Sequence, residues 1–333
     1  MLRRIVWLAI LLMGTAHLLY APAYAEAAPI YELIAGKIAN GQVTLTVSGK
    51  NLVEFYGYEA EFSYDPESLE LLEFNSGREG FAIAPIVKNN KVIIAHTKIG
   101  DVAGDRGNIA IGTLTFKLKK YGESTVKWES IKVVTGQAQS TTTAVGKRVA
   151  ISKAFADLDG HWAKADIEWL AMKGIIEGVD DTHFKPDAEV TRAQFVAMMA
   201  RALKLQVSTT VDPFDDVPQD AWYADAVRNA YAAGMINGIT YERFAPERDI
   251  TREEMTVMLM RAGRHVAADV FKDVSIELTF TDASEISKWA VGDVTLALHA
   301  GLMQGGLYNK FMPQSQATRA EAAVVIKRLL SHL

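Results

Sequence analysis

Cysteine is absent from all 333 residues of the chain, and its absence excludes several kinds of chemistry. Without thiols there is no disulfide framework, no cysteine nucleophile and no cysteine for lipid attachment. The seven histidines are scattered and lack the spacing of a zinc site. A Gly-x-Ser-x-Gly motif and a phosphate-binding glycine-rich loop before a helix are also missing. The sequence therefore predicts a protein that is not an enzyme, with no cofactor and no metal.

Long apolar runs are confined to the beginning of the chain. The segment 1–4 is basic, 5–20 is almost entirely apolar, and 23–25 is Ala-Tyr-Ala. This order is typical of a secretory signal peptide over residues 1–25. No later run approaches the roughly 18 residues that a transmembrane helix needs. We therefore expect a secreted protein with no membrane span in its mature form, held at the surface noncovalently.

An excess of positive charge is lacking as well. The formal charge is −5 at pH 7, and removal of Arg3 and Arg4 with the signal peptide makes it −7. This balance argues against general affinity for nucleic acid or an anionic membrane. Anion binding would therefore depend on cations placed locally. In one acidic turn, Asp101, Asp105 and Asn108 could ligate Ca²⁺, but we favour a solvated turn without metal.

The C-terminal half contains the same segment three times. The tryptophans that head the copies are 60 residues (162 to 222) and then 67 residues (222 to 289) apart, so an insertion separates the second copy from the third. A repeat of this length is one supersecondary unit whose apolar face is covered by its neighbours. The repeated positions are Trp162, Trp222 and Trp289; Gly174, Gly234 and Gly301; Gly178, Gly238 and Gly305; Thr191, Thr251 and Thr318; and Arg192, Arg252 and Arg319.

Each unit is predicted to form a helix, a loop and a second helix. Apolar residues of the first helix recur at helical spacing from the tryptophan onward and predict one buried stripe. The first glycine of each pair follows, where a residue in the left-handed region ends a helix. For the second glycine, turn chemistry and a close approach of the backbone to another group are equally good explanations.

The second helix of each unit begins with a capping box. The threonine is the N-cap, and the residue at N3 returns a hydrogen bond to it. These N3 residues are Gln194, Glu254 and Glu321. The threonine and the N3 residue are therefore predicted to be structural.

The arginine at N1 is not explained by capping. A cation at the positive end of the helix dipole costs about 0.3 to 1 kcal/mol, so a compensating anion is expected. Either an aspartate of the unit supplies it, or an external anion binds where the helix N-terminus and the guanidinium converge. The candidate aspartates are Asp157, Asp216 and Asp282. In both cases Arg→Ala should hardly change folding. The arginines near the C-termini of these helices, Arg201, Arg261 and Arg328, are expected there and need no function.

Residues 154–333 resemble S-layer homology (SLH) domains. The motifs that carry the resemblance are Phe155-Ala-Asp157, His161-Trp162-Ala, Gly174-Ile-Ile-Glu-Gly178, Phe184-Lys-Pro186 and Val190-Thr191-Arg192-Ala-Gln194, with counterparts in units two and three. The resemblance implies an all-α, pseudo-three-fold trimer within one chain, with a central helix bundle and grooves between units. It also implies that the grooves bind a pyruvylated secondary cell-wall polysaccharide of Gram-positive bacteria, whose carboxylate meets the repeated arginine.

The resemblance divides the C-terminal half into repeats at 154–206, 213–263 and 280–333, with an extended linker at 264–279. Phe271 in this linker imitates the start of a unit. Unit one has Gln194 where the others have Glu, and unit two has Glu253 where the others have Ala, so equal use of the grooves is not expected. The candidate polymer-binding residues are the N1 arginines, Asp157, Asp216, Asp282, Trp162, Trp222, Trp289, Gly178, Gly238 and Gly305.

Between the leader and the repeats, residues 28–151 alternate apolar and polar side chains. The alternation along 43–47, 56–64 and 114–118, with turn residues between, predicts an all-β sandwich. The apolar side of 56–64, which is rich in tyrosine, is interpreted as core. The face that Trp128 occupies does not follow from the sequence.

This region resembles a cohesin domain. The resemblance rests on Val43-Thr-Leu-Thr-Val-Ser-Gly49, on Tyr56-Gly-Tyr-Glu-Ala-Glu-Phe-Ser-Tyr-Asp65-Pro66, and on Ile111-Gly-Thr-Leu-Thr-Phe116. It implies a jelly-roll sandwich that binds dockerin modules through one sheet face, without assigning particular residues.

Two functions follow from these features. The first is a noncovalent anchor that binds cell-wall polymer through its SLH repeats and presents a cohesin-like module to dockerin-bearing proteins. The second is an S-layer or surface structural protein whose sandwich binds carbohydrate or neighbouring subunits. Both place the protein at the cell surface, in the wall or S-layer of a Gram-positive type of bacterium.

Overall fold

The computed structural model of the protein describes residues 27–206, 212–272 and 277–333. The predicted signal peptide, 1–25, lies outside these residues. Within the described ranges, no helix combines the length and apolar character that crossing a membrane would require.

The N-terminal region is a sandwich of two antiparallel sheets, as predicted. One sheet has the strand order β1-β2-β8-β4, and the other has the order β10-β9-β3-β7-β5 with β6 also paired to β7. The strands are β1 Ile30–Ala35, β2 Gln42–Phe55, β3 Gly57–Tyr64, β4 Leu69–Asn75, β5 Phe81–Ala82, β6 Ile86–Lys88, β7 Lys91–Thr97, β8 Asp105–Leu118, β9 Gly122–Val134 and β10 Ser140–Lys153.

The sandwich core is built from the alternating residues that the sequence indicates. On β3, Tyr58, Ala60, Phe62 and Tyr64 are buried, so the interpretation of the stripe as core is confirmed for these four residues. Tyr56, just before β3, is only half-buried. Trp128 on β9 is fully buried, and its ring lies 5.3 Å from that of Phe62. Full burial of a large apolar side chain contributes about 1.5 to 3 kcal/mol, so these inner faces hold the two sheets together.

The C-terminal region is helical. Its helices are α1 Lys164–Met172, α2 Arg192–Ala202, α3 Ala224–Ala232, α4 Arg252–Ala267, α5 Val291–His299 and α6 Arg319–Leu330. The second helices of the units, α2, α4 and α6, pack against one another as a central bundle. The first helix of each unit packs on the second helix of the preceding unit: α3 on α2, α5 on α4, and α1 on α6. The three units therefore form a closed, interleaved ring, in agreement with the predicted pseudo-three-fold trimer.

A ring of backbone hydrogen bonds joins the units where their second helices begin. The amide of Val190 donates to Ala317 O at 3.0 Å, that of Ile250 to Val190 O at 3.0 Å, and that of Ala317 to Ile250 O at 2.9 Å. Each unit donates one bond and accepts another. None of these three amides or carbonyls can be satisfied in this way by a unit on its own.

The paired glycines have two different roles. Gly174, Gly234 and Gly301 have φ between 68° and 69° and end their helices in the left-handed region, as predicted. A Cβ on Gly238 would lie 2.3 Å from Thr240 O and 2.5 Å from Arg243 O. In units one and two, the second glycine is therefore required by a close backbone approach; at Gly305 an added Cβ would instead meet the Phe280 ring at 2.4 Å.

The segment between units two and three differs from the predicted extended linker at 264–279. Helix α4 continues to Ala267, and Phe271 is buried with its ring over Gly263. Residues 273–276 lie outside the described part of the chain. The Phe271 ring packs against the helix bundle, as does the phenylalanine at the start of each unit. This shared packing explains why the sequence around Phe271 imitates a unit start.

The sandwich continues directly into the first helical unit. Strand β10 ends at Lys153, and a 3₁₀ turn begins at Ala156. Tyr121, in the turn between β8 and β9, packs its ring 4.3 Å from that of Phe155. Lys153 Nζ lies 3.2 Å from Asp181 Oδ1 and 4.6 Å from the Tyr121 ring centre. Burial at this junction raises the pKa of Tyr121 to about 12.

Candidate functional site

Three grooves lie between the helical units, and each is built from all three units. One unit provides the glycine loop, the N3 residue and a further arginine of its second helix; the next unit provides a tryptophan, and the preceding unit provides the N1 arginine. Groove A contains Gly178, Gln194, Arg201, Trp222 and Arg319, groove B contains Gly238, Glu254, Arg261, Trp289 and Arg192, and groove C contains Gly305, Glu321, Arg328, Trp162 and Arg252. Their volumes are about 220, 370 and 190 Å³ respectively.

The N1 arginines are buried between units. Arg319 donates from Nε to Phe184 O at 2.8 Å and from Nη2 to Glu177 O at 3.1 Å. Its guanidinium lies 4.5 Å from the centre of the Phe184 ring. Arg192 makes the equivalent bonds to Phe244 O and Asn237 O, and Arg252 to Phe311 O and Gln304 O. Backbone carbonyls of the neighbouring unit therefore accept hydrogen bonds from each N1 arginine. These buried bonds lead us to predict that loss of the arginine affects folding, contrary to the expectation from the sequence.

Burial also changes the electrostatics of these arginines. It lowers the pKa of Arg192 to about 10, and the Glu254 carboxylate opposes the shift. Burial likewise lowers the pKa of Arg319, where the charge of Asp157 opposes it. The Arg192 guanidinium stays protonated at neutral pH.

The three aspartates hold the loops that accept from the arginines. Asp157 accepts from the amides of Phe184 at 3.0 Å and Lys185 at 2.7 Å. Asp216 and Asp282 accept from the equivalent amides in units two and three. The ion pair between aspartate and N1 arginine, one of the two alternatives left by the sequence, is therefore not formed, because these carboxylates bind backbone amides. Burial acts to raise the pKa of Asp282, but the amides of Phe311 and Met312 outweigh it and hold the pKa below its usual value.

The helix N-termini are not open to an external anion. At the start of α6, the amide of Arg319 donates to Ala188 O at 2.8 Å and that of Ala320 to Pro186 O at 2.9 Å. The amide of Glu321 donates to the N-cap Thr318, and the capping box is complete in all three units. One alternative from the sequence was that an external anion binds both the helix N-terminus and the guanidinium. The part of it that concerns the helix N-terminus is wrong. What remains for an anion is the guanidinium edges that face the groove.

The capping box gives a first prediction. Thr318→Ala should lower the free energy of unfolding by about 1 kcal/mol, because the N3 amide of α6 loses its acceptor. Groove C contains no atom of this threonine, so its ligand binding should stay the same. Chemical denaturation and binding titration of the same sample check both halves. An unchanged unfolding curve with lost binding would contradict the structural role.

The tryptophans are not on the buried stripe to which the sequence assigned them. Trp162, Trp222 and Trp289 are 64%, 62% and 57% exposed and line the groove of the neighbouring unit. Each lies two residues before the first residue of its helix, so the tryptophans are outside the helical periodicity. The second arginines, Arg201, Arg261 and Arg328, were dismissed from the sequence as helix-end cations, yet all three line grooves. Their constant spacing of ten residues from the N-cap threonine was the signal that could have found them.

One carboxylate of the acidic turn in the sandwich is paired with two cationic side chains. Asp105 accepts from Lys98 Nζ at 2.6 Å and pairs with Arg78. The Lys98 hydrogen bond lowers the pKa of Asp105. Among the described residues, no cluster of three or more His, Asp or Glu side chains is suited to hold a metal ion.

Three apolar side chains are exposed on the two short strands at one edge of the six-stranded sheet. Phe81 on β5 and Ile86 and Val87 on β6 are each more than half exposed beside β7. Within the sandwich, residues 27–153, Phe81 is the one strongly exposed aromatic side chain. We call Phe81, Ile86 and Val87 the edge patch; consecutive strand residues point to opposite faces, so Ile86 and Val87 lie on the two sides of this edge.

Comparison with known families decides what these two regions are. The S-layer homology domain family matches residues 154–196, 213–256 and 279–323, and the cohesin domain family matches 35–154. The chain carries a cohesin domain followed by three SLH domains. Both are non-catalytic domains, and together with S-layer relatives they indicate a protein of the cell surface.

Curated relatives include both glycosidases and surface-layer proteins. The chain is 38% identical over 217 residues to an amylopullulanase of Thermoanaerobacterium thermosulfurigenes, covering 63% of this chain and 12% of that protein. It is 41% identical over 180 residues to the exoglucanase XynX of Acetivibrio thermocellus, covering 54% and 16%. It is 30% identical over 182 residues to the surface-layer 125 kDa protein of Lysinibacillus sphaericus, covering 54% and 15%. The chain thus spans less than a fifth of the length of each.

Solved structures of cohesins are among the similar folds. A type II cohesin domain from the cellulosome of Acetivibrio cellulolyticus covers 38% of this chain and 95% of its own, with 13% identity and a TM-score of 0.30. A cohesin module from a family 33 glycoside hydrolase of Clostridium perfringens covers 38% and 97%, with 15% identity and a TM-score of 0.31.

Proposed function

We propose that this protein is a noncovalent cell-surface anchor. Its grooves bind a pyruvylated secondary cell-wall polysaccharide, and its cohesin domain docks dockerin-bearing proteins onto the surface. The observation that carries the first half is the repeated pairing of an exposed tryptophan with two arginines in each inter-unit groove.

The side chains in each groove suit an acidic sugar. An exposed indole offers an apolar face against which a pyranose ring can stack, while its N–H can still donate a hydrogen bond. A guanidinium that has already lost its water binds a carboxylate with strong, charge-assisted hydrogen bonds. In groove A, Trp222 and Arg319 come from different units, so a sugar that contacts both would also bridge them.

Wall binding can be tested on the mature chain. It should sediment with walls that carry their secondary polymer and stay in solution with walls stripped of it. The variant Arg201→Ala/Arg261→Ala/Arg328→Ala should bind at least tenfold more weakly, because each groove loses one charge-assisted bond worth about 1.5 to 3 kcal/mol. A variant with Lys132, Lys147 and Arg148 replaced by alanine removes the same charge from the sandwich and is the matched control. Equal sedimentation of both variants would contradict the proposal.

The edge patch supports the second part of the proposal, the docking of dockerin-bearing proteins by the cohesin domain. A protein partner is recognised by a cluster of exposed apolar side chains that become buried on binding. A glycan site would instead call for several exposed aromatic rings, and Phe81 is alone in the sandwich. The patch therefore favours a protein partner over the alternative of carbohydrate binding.

Partner docking can be tested with one pair of variants. Val87→Asp should weaken capture of a purified dockerin-bearing enzyme by at least tenfold, because a charge would be buried unpaired in the contact. Ile34→Asp, on the four-stranded sheet and also more than half exposed, is the control and should bind normally. Both variants should melt like the parent. If they lose binding equally, or if neither does, the edge patch is not the docking surface.

A further inference from the structure

The three grooves differ in how their buried arginine is neutralised. In groove C, Arg252 Nη1 lies 2.7 Å from Glu321 Oε1. In groove B, Arg192 Nη1 lies 3.6 Å from Glu254 Oε1, and Glu254 also pairs with Arg248.

Groove A has the neutral Gln194 at the same N3 position. The hydrogen bonds of Arg319 go to Phe184 O and Glu177 O, both backbone carbonyls. Its guanidinium is therefore buried without a carboxylate at N3.

The formal charge does not separate the grooves, because each is lined by two arginines and one glutamate. The grooves differ instead in the position of the glutamate. In groove A the carboxylate belongs to Glu177, whose side chain is 72% exposed and pairs with Arg201 at 3.6 Å. In groove C the Glu321 side chain is 28% exposed and contacts the buried cation directly. Solvent screens the first pair far more than the second.

We propose that groove A is the primary carboxylate-binding groove of this protein and that Gln194 sets this preference. The inference rests on the proposed function and adds a ranking to it: a singly charged acidic sugar binds groove A first, then groove B, then groove C. A ligand carboxylate entering groove C competes with Glu321 for Arg252 and meets a like charge. In groove A the same carboxylate meets Arg319 and an uncharged amide that can donate to it.

The ranking of B above C follows from the two distances and from Arg248. Glu254 is shared between Arg248 and Arg192, so it neutralises Arg192 less completely than Glu321 neutralises Arg252. The aspartates that hold the loops do not enter the ranking, because each unit has one with the same amide partners.

The amide at position 194 can be exchanged for a carboxylate without changing the fold. Gln194 completes its capping box in the same way as Glu254 and Glu321 complete theirs. Gln194→Glu and Glu321→Gln are therefore isosteric swaps of charge alone, one in groove A and its reciprocal in groove C.

The test follows each groove separately through its own tryptophan. The mature chain is labelled with 5-fluorotryptophan, and ¹⁹F NMR reports Trp222 in groove A, Trp289 in groove B and Trp162 in groove C. Trp128 and Trp169 lie outside the three linings and serve as internal controls. The probe is a methyl hexopyranoside that carries a 4,6-linked pyruvate ketal. Its isopropylidene analogue has a methyl group in place of the carboxylate and is the uncharged control.

In the parent protein, the Trp222 signal should respond at a ligand concentration about tenfold or more below that needed for Trp162. Gln194→Glu should weaken the Trp222 response about tenfold, and Glu321→Gln should strengthen the Trp162 response by a similar factor. The isopropylidene analogue should show no such ranking. Gln194→Glu should melt like the parent, whereas Glu321→Gln should melt lower, because the buried Arg252 loses its carboxylate partner, with the circular dichroism spectrum of the folded state unchanged.

Failure of the proposed function and failure of the groove ranking give different experimental results. If the ketal perturbs none of the groove tryptophans and the protein does not sediment with polymer-bearing walls, the proposed function is wrong. If walls are bound but the three tryptophans respond alike, or their order is unchanged by Gln194→Glu and Glu321→Gln, the ranking is overturned while the anchor function stands.

Discussion

Arg319→Ala is expected to lower the free energy of unfolding of the helical region by about 3 kcal/mol. The substitution leaves the carbonyls of Phe184 and Glu177 without their donors in a buried site, at about 1 to 3 kcal/mol each. It also removes the cation from the face of the Phe184 ring. Chemical denaturation measures the loss.

Arg201→Ala is the matched control for that measurement. Arg201 lines the same groove, but its side chain is 38% exposed and its partner Glu177 is more exposed still. An exposed pair of this kind contributes about 0 to 1 kcal/mol, so stability should hardly change while groove A loses affinity. If Arg201→Ala destabilises the protein as much as Arg319→Ala, the N1 arginine has no special role between units.

Gly238→Ala is expected to be more damaging, with a loss on the order of 4 kcal/mol or failure to fold. The added methyl group would meet two backbone carbonyls at 2.3 and 2.5 Å and the Phe214 ring at 2.7 Å, and the carbonyls cannot rotate away. Circular dichroism during chemical denaturation measures the effect.

The control for this prediction is another glycine of the same loop. Gly234 has a φ of 68° and no atom within 4 Å of an added Cβ, so Gly234→Ala carries only the strain of the left-handed region. That strain costs about 1 to 2 kcal/mol. A larger loss from Gly234→Ala than from Gly238→Ala would show that conformation, and not space, explains the paired glycines.

The fold was largely predictable because its signals are local. The alternation in β2, β3 and β8 determines which faces are buried, and the Thr-x-x-Gln/Glu boxes determine where α2, α4 and α6 begin. Both follow from neighbouring residues along the chain. The left-handed glycines at helix ends were predictable for the same reason.

The groove geometry was not predictable, because each contact joins units far apart in the sequence. Arg319 binds carbonyls 135 and 142 residues away. A dipole argument confined to one helix could identify the arginine as anomalous, but it could not identify the carbonyls to which the arginine donates. The departure at Glu253 has the same kind of cause. Its buried carboxylate accepts from the Ser287 amide and hydroxyl and from Gln314, all in unit three.

The interleaved ring also bears on how such a region can be inherited. Loss of one unit would leave a first helix without the second helix on which it packs, and would open the hydrogen-bond ring of Val190, Ile250 and Ala317. Recombination between genes would therefore preserve the region when it exchanges the three units as one block and would disrupt it when it exchanges one. Within that block the grooves can still diverge, because a change such as Gln for Glu at position 194 alters one groove and leaves the other two intact.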